Sequence, residues 1–243
     1  RLAGMRNGRL VIGILGLPYT CPPAPFELAL LCRDRLGPSL SISVFTPAPI
    51  ALPVVGPAES AKVERLLAEV GVDFAAGRQA TAVEDAAISF ADGSQLVFDT
   101  LLAVPAHRCP AVLVEAGLAD AGGWLRPDPR TLELGRPDVY AVGDCTAIML
   151  ANGLPLPKAG VFAHAQGEVA ARRIAARLDG AQPSATFDGE GYCFIETGGG
   201  RSAKAVGSFM ADPVDVRIDE PSPAVMAEKV EFERSRLAAW FGG

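Results

Sequence analysis

The residues able to do chemistry fall in two short stretches. The first is "GILGLPYTCPPAPFELALLC" (13–32), where Cys21 is fenced by Pro18, Pro22, Pro23 and Pro25. A thiol just before a helix has its thiolate favoured, and the thiolate is the nucleophile. The prolines stiffen the turn and hold the sulfur in one place. They also remove backbone donors, so the turn is poorly built to cradle a phosphate. Glu27 falls about one turn inside the helix, where a carboxylate can move a proton to or from sulfur; an acid there also suits the helix dipole. The second stretch is "VYAVGDCTAI" followed by "LPKAGVFAHAQGEVAARRIA". It puts Asp144 at the end of an apolar segment, where it can accept hydrogen bonds from vicinal hydroxyls. The helix that begins at Gly160 with small residues offers its positive end to a negatively charged ligand.

These residues must be held by regular elements. An apolar strand (Leu10 to Leu15) runs into the Cys21 turn and a helix from about Pro25 to Leu36. "LSISVFTPAP" (40–49) is a strand that stops at proline. In "AKVERLLAEVG", Val63, Leu66, Leu67 and Val70 recur at helical spacing, with Gly71 at the natural stop. "VDFAAG" is a further strand, so residues 10–76 read as a parallel α/β unit. Asp92-Gly93 between alternating apolar segments marks a hairpin. "TLLAVPA" (100–106) is a buried strand, and "PDVYAVGDCTAI" (137–148) reads as a strand entering the Gly-Asp turn. A helix spans about Gly160 to Leu178, with Arg172, Arg173 and Arg177 in its last turns. From about Pro183 the character changes: two or three strands with a turn at Gly198–Gly200, then a mixed-charge terminal helix.

Composition bounds the function. The chain has 243 residues, 49% apolar, with net charge −6. That size and apolarity allow one or two packed domains. An acidic balance argues against nucleic acid as partner. No apolar run reaches the roughly 18 residues that span a bilayer, and no signal-peptide pattern opens the chain. The five cysteines are scattered, with no CxxC and no Cys/His spacing for zinc. The odd count argues against a structural disulfide framework. Cys32 falls on the apolar side of its helix and reads as core. Cys109, Cys145, His107 and His164 read more simply as packed or surface residues than as site residues.

The Gly-Asp turn followed by the Gly160 helix resembles the C-terminal flavin-binding motif of the pyridine nucleotide–disulfide oxidoreductases. These are flavoproteins with two dinucleotide-binding domains. The resemblance implies FAD as cofactor, with Asp144 on the ribityl chain, Gly143 allowing close approach, and Lys158, Ala159 and Gly160 beside the isoalloxazine ring. "YTCPPAPFE" is similar to the redox-cysteine region of sulfide:quinone oxidoreductases and of the flavocytochrome c sulfide dehydrogenase flavoprotein. There a second cysteine lies in a C-terminal strand, and its counterpart is Cys193 in "GEGYCFIETGGG". A glutamate six residues after the first cysteine also recurs in that family, and Glu27 fills its place.

The expected fold is α/β, a Rossmann-like unit with a smaller C-terminal α+β domain. Residues 1–182 form the nucleotide-binding-like region and residues 183–243 the C-terminal domain. The N-terminal part that binds the FAD pyrophosphate is absent from this chain, since no GxGxxG opens it. The implied activity is oxidation of sulfide or a related sulfur compound through Cys21 and Cys193, with two electrons passing by way of the flavin to a quinone or a haem protein. No metal is expected, membrane contact is at most peripheral, a cytoplasmic or peripheral location is favoured, and a homodimer is left open. Two alternatives stand beside this. One is an NAD(P)H:quinone reductase on the same fold, with the cysteines incidental. The other is a truncated, non-catalytic domain that binds a partner protein.

Overall fold

The computed structural model describes residues 2–136 and 138–242. In chain order its elements are β1 (Gly8–Ile14), α1 (Ala24–Leu36), β2 (Leu40–Phe45), α2 (Pro57–Glu69), β3 (Val72–Ala75), β4 (Ala80–Val83), β5 (Ala87–Phe90), β6 (Gln95–Val97), β7 (Thr100–Val104), α3 (Ala111–Glu115), α4 (Gly160–Leu178), β8 (Glu190–Gly198), β9 (Arg201–Ser208), β10 (Asp215–Ile218) and α5 (Pro223–Phe241).

The central sheet has the order β3-β2-β1-β7, and all its pairings are parallel. Its strands are apolar because both faces are covered. Leu10, Ile12 and Ile14 of β1 point one way, into a core shared with Phe26 and Leu30 of α1 and Val63 and Leu67 of α2. Val11 points the other way, against Phe45, Ile88 and Phe90. The antiparallel sheet β4-β5-β6, built around the Asp92-Gly93 turn, closes that second face. Of the predicted α2 stripe, Val63, Leu66 and Leu67 are buried, whereas Val70 follows the last helical turn and is partly exposed.

The C-terminal sheet β10-β9-β8 is antiparallel and turns at Gly199 and Gly200. It lies on α1, and its Ile195, Ala203, Ala205 and Ile218 enter the same core as β1 and β2. A second cluster, formed by Phe162 of α4 with Phe187, Phe209 and Val216, joins α4 to this sheet. α5 covers the outer face, where Phe232 meets Tyr192 and Phe194. Leu237, Trp240 and Phe241 at its end are exposed. Among the described residues no helix is long and apolar enough to cross a membrane.

One expectation is corrected. The segment 137–148 is not a regular strand. Tyr140 makes an isolated antiparallel bridge with Glu133, and Gly143–Cys145 is one 3-10 turn. The physical reason lies in the partner segment's geometry. Leu132 and Asp138 both have left-handed φ, +65° and +62°, which breaks the extended run on either side of the bridge. Pro137 lies outside the described residues.

Candidate functional site

In open α/β sheets, ligands bind beyond the carboxyl ends of the strands where the strand order reverses. Here that point lies between β1 and β7, which connect in opposite directions along the sheet. The Cys21 turn follows β1 at this position and is tied to the loop after β7, since the N–H of His107 donates to the Pro18 carbonyl at 2.7 Å. Gly16 makes the approach possible: a Cβ on it would stand 2.8 Å from that of Ala106.

Cys21 itself has φ +52°, a left-handed backbone that costs a non-glycine residue of order 1 kcal/mol or more. Three bonds around it hold it there. Its N–H donates to the Lys158 carbonyl at 2.7 Å, its carbonyl accepts from Ala24 N–H at 2.9 Å, and the Tyr19 hydroxyl donates to the Pro22 carbonyl at 3.0 Å. α1 then starts with Pro23 as N-cap and proline in its first turn, with no side-chain cap.

β8 packs on α1 and brings Cys193 close to Cys21, and the two free thiols interact electrostatically. That contact lowers the Cys21 thiol to about 7, against burial and the nearby carboxylates of Glu27 and Asp144, which raise it. Cys193, partly buried, is pushed well up by the Cys21 thiol and by burial. The pair is therefore asymmetric, with negative charge favoured on Cys21 over Cys193. Glu27 on α1 is half-buried. Burial raises its carboxyl above the ordinary range, opposed by the ammonium of Lys229 on α5 at 3.3 Å. Lys229 also hydrogen-bonds Glu196 of β8.

The Gly-Asp turn is built by neighbours on α4 and beyond. Gly143 has φ +72°, and a Cβ there would press on that of Ala163 at 3.2 Å. Its N–H donates to Oε1 of the buried Gln166 at 2.6 Å. Lys158 is 5% exposed, so its charge needs buried partners. Its Nζ donates to the carbonyls of Asp144 and Thr146 at 2.8 and 2.9 Å and sits 3.7 Å from the centre of the Trp124 ring. Burial still lowers the Lys158 ammonium, while Asp144 works to raise it. Gly143, Asp144, Ala159 and Ala163 line a small cleft at the start of α4. Ala159 is the N-cap of that 19-residue helix and offers no side-chain cap, so the cleft faces uncapped helix N–H groups.

Beside this cleft opens an apolar cavity of about 350 Å³. Leu17, Tyr19, Val54, Leu154, Phe162 and Phe209 form much of its wall, and Cys193, Lys158 and Ala159 reach its edge. Cys21, Cys193 and Glu27 thus come together at one site, and Gly143, Asp144, Lys158, Ala159 and Gly160 meet at the start of α4. The peptide bond of Lys158 links the two groups. Cys32 is core. Cys109 and Cys145 pack with Leu125 and Ala141. His164 faces Arg236 and Trp240 of α5. Three contributors carried no sequence signal: Gln166, Trp124 and Lys229. Each acts through a contact distant in sequence. Among the described residues no group of three or more His, Cys, Asp or Glu side chains is gathered as a metal site would need.

The fold is similar to that of FAD-dependent pyridine nucleotide-disulfide oxidoreductases: the structure of one such protein from Desulfovibrio vulgaris superposes with a TM-score of 0.57 at 20% identity, over 82% of this chain and 49% of that one. Within the class, the sulfide:quinone oxidoreductase of the hyperthermophilic bacterium Aquifex aeolicus superposes with a TM-score of 0.77 at 20% identity, over 93% of this chain and 57% of that one. In sequence, the mitochondrial sulfide:quinone oxidoreductase of Schizosaccharomyces pombe is 30% identical over 125 residues, 50% of this chain and 26% of that protein. No protein-family model matches the chain. The resemblance to sulfide:quinone oxidoreductases is thus borne out by these neighbours, which are oxidoreductases. The chain spans about a quarter of the curated relative and little more than half of the Aquifex protein.

The residues present fit one end of FAD. A carboxylate, an uncapped helix N-terminus and an apolar wall match a polyol chain leading to a flat, partly anionic ring. The proline-blocked start of α1 offers no comparable cradle for a pyrophosphate.

Proposed function

We propose that this chain is the thiol-bearing, flavin-facing portion of an FAD-dependent oxidoreductase of the sulfide:quinone oxidoreductase type. Residues 1–182 are its nucleotide-binding-like region and 183–243 its C-terminal domain. The observation that carries the proposal is the juxtaposition of the free thiols of Cys21 and Cys193, with the Cys21 turn tied through Lys158 to the Gly-Asp turn.

Asp144 and Gly143 hold the polyol chain of FAD, and Ala159 and Gly160 present the α4 N-terminus to its ring. FAD, when bound, supplies the two-electron acceptor. The chain's own residues supply the sulfur chemistry. With Cys21 and Cys193 joined as a disulfide, a hydrosulfide ion attacks one sulfur. The S–S bond breaks, a persulfide forms on the attacked cysteine and the other cysteine leaves as thiolate. The incoming sulfur is oxidised and the disulfide is reduced, two electrons in all. Glu27 is the carboxyl group placed to take up or return a proton next to the pair. The apolar cavity beside Cys193 supports a quinone as final acceptor over a haem protein, because its wall is almost wholly hydrocarbon.

The test is an anaerobic titration of the complete flavoprotein, following flavin absorbance with sulfide in one cuvette and NADH in the other. Bleaching by sulfide, lost in Cys21→Ser and Cys193→Ser, is the expected result. Bleaching by NADH alone, untouched by those substitutions, makes the chain part of an NAD(P)H:quinone reductase. Failure of the complete polypeptide to hold flavin makes it a partner-binding domain.

A further inference from the structure

α5 begins at Pro223, some thirty residues beyond Cys193, and in sequence it is an ordinary mixed-charge helix. Its Lys229 is the exception to that surface pattern. The side chain is 30% exposed and lies between Glu27, at 3.3 Å, and Glu196. Both carboxylates are more than three-quarters buried at the side chain. Burial works to lower the Lys229 ammonium, and the two carboxylates outweigh it and hold it raised. One cation therefore serves two acids, and one of those acids, Glu27, acts electrostatically on both thiols.

We infer that Lys229 is the positioning residue of the thiol site: from α5 it holds the Glu27 carboxylate beside Cys21 and Cys193 and balances its charge. This rests on the proposed reading of the cysteine pair. The charged and titratable groups facing Glu27 are Lys229 on α5, Glu196 on β8, Cys21 in the turn before α1, and Cys193 on β8; Asp144 also faces Cys21, and Lys229 also acts on Cys193. Of these, only Lys229 is cationic. Without it, Glu27 repels the Cys21 thiolate uncompensated, which disfavours the thiolate. The dependence on Glu27 makes the idea specific, since simple undocking of α5 has no reason to be reversed by neutralising a residue on α1.

The experiment is the pH profile of Cys21 alkylation by iodoacetamide in the full-length polypeptide, read by peptide mass spectrometry. In the parent, half-maximal reactivity is expected near pH 7. Lys229→Met is expected to move it up by about half a unit or more. Lys229→Arg is expected to stay near the parent, and the double variant Lys229→Met with Glu27→Gln to return most of the way. If the Lys229→Met profile matches the parent's, or if the double variant stays with the single one, the inference is overturned. If the parent itself shows no reactive Cys21, the proposed function fails first, and this inference falls with it.

Discussion

Lys158 joins Cys21 to the Gly-Asp turn. Its carbonyl accepts the Cys21 N–H at 2.7 Å, and its ammonium donates to the Asp144 carbonyl at 2.8 Å. The Cys21 turn and the Gly-Asp turn, 123 positions apart in the chain, are thereby held by one residue. The resemblance places Lys158 beside the isoalloxazine ring. Its Nζ is committed instead to two backbone carbonyls and the Trp124 face.

Lys158→Met leaves the Asp144 and Thr146 carbonyls without that donor in a buried place. A loss of about 2–3 kcal/mol is expected, read as a fall in the urea midpoint of unfolding. Flavin retention by the complete protein should fall with it. A variant of parental stability and flavin content would show that the clamp is dispensable.

Gln166→Leu is a second probe of the same turn. It is close in volume but removes the only acceptor given to the Gly143 N–H. A cost of about 1–3 kcal/mol is expected. Gly143→Ala should destabilise similarly, since it combines φ +72° with a 3.2 Å contact to Ala163.

Much of this framework is legible in the sequence, and for a physical reason. The β1–α1–β2–α2–β3 unit is fixed by local periodicity: alternation in strands, i, i+3, i+4 spacing in α2, glycine and proline at the ends. The Asp92-Gly93 hairpin is likewise local. Cys21 and Cys193 were paired through a family resemblance, because nothing local brings residues so far apart together. What stayed hidden depends on tertiary contacts. Gln166 is one polar residue on a helix until the Gly143 N–H meets it, and Lys229 is one charge among many on α5. The segment 137–148 was read as a strand from its apolar content, but the left-handed residues Leu132 and Asp138 cut the pairing to a single bridge.

The asymmetry of the thiol pair gives a reactivity prediction. The neighbouring Cys193 thiol lowers the Cys21 thiol to about 7. Cys193→Ala removes that neighbour, and the midpoint of Cys21 alkylation should rise toward the ordinary thiol range of about 8.5. An unchanged midpoint would mean that Cys193 does not set the charge of Cys21.

Glu27 gives a stability prediction with a definite sign. Burial raises its carboxyl in the folded state, so just above the ordinary glutamate range the folded chain binds more protons than the unfolded one. Its contribution to stability is present below that range and is lost as pH rises through the folded value. Glu27→Gln should therefore flatten the decline in urea midpoint just above the ordinary glutamate range. An identical slope in parent and variant would contradict the assignment.

The most direct test of the central claim is peptide mapping of the full-length polypeptide after mild oxidation with a small-molecule disulfide, under non-reducing conditions. The account predicts a Cys21–Cys193 cross-link as the main product, with Cys32, Cys109 and Cys145 recovered as thiols. A polypeptide in which Cys21 and Cys193 stay unlinked, or pair with other cysteines, would contradict it.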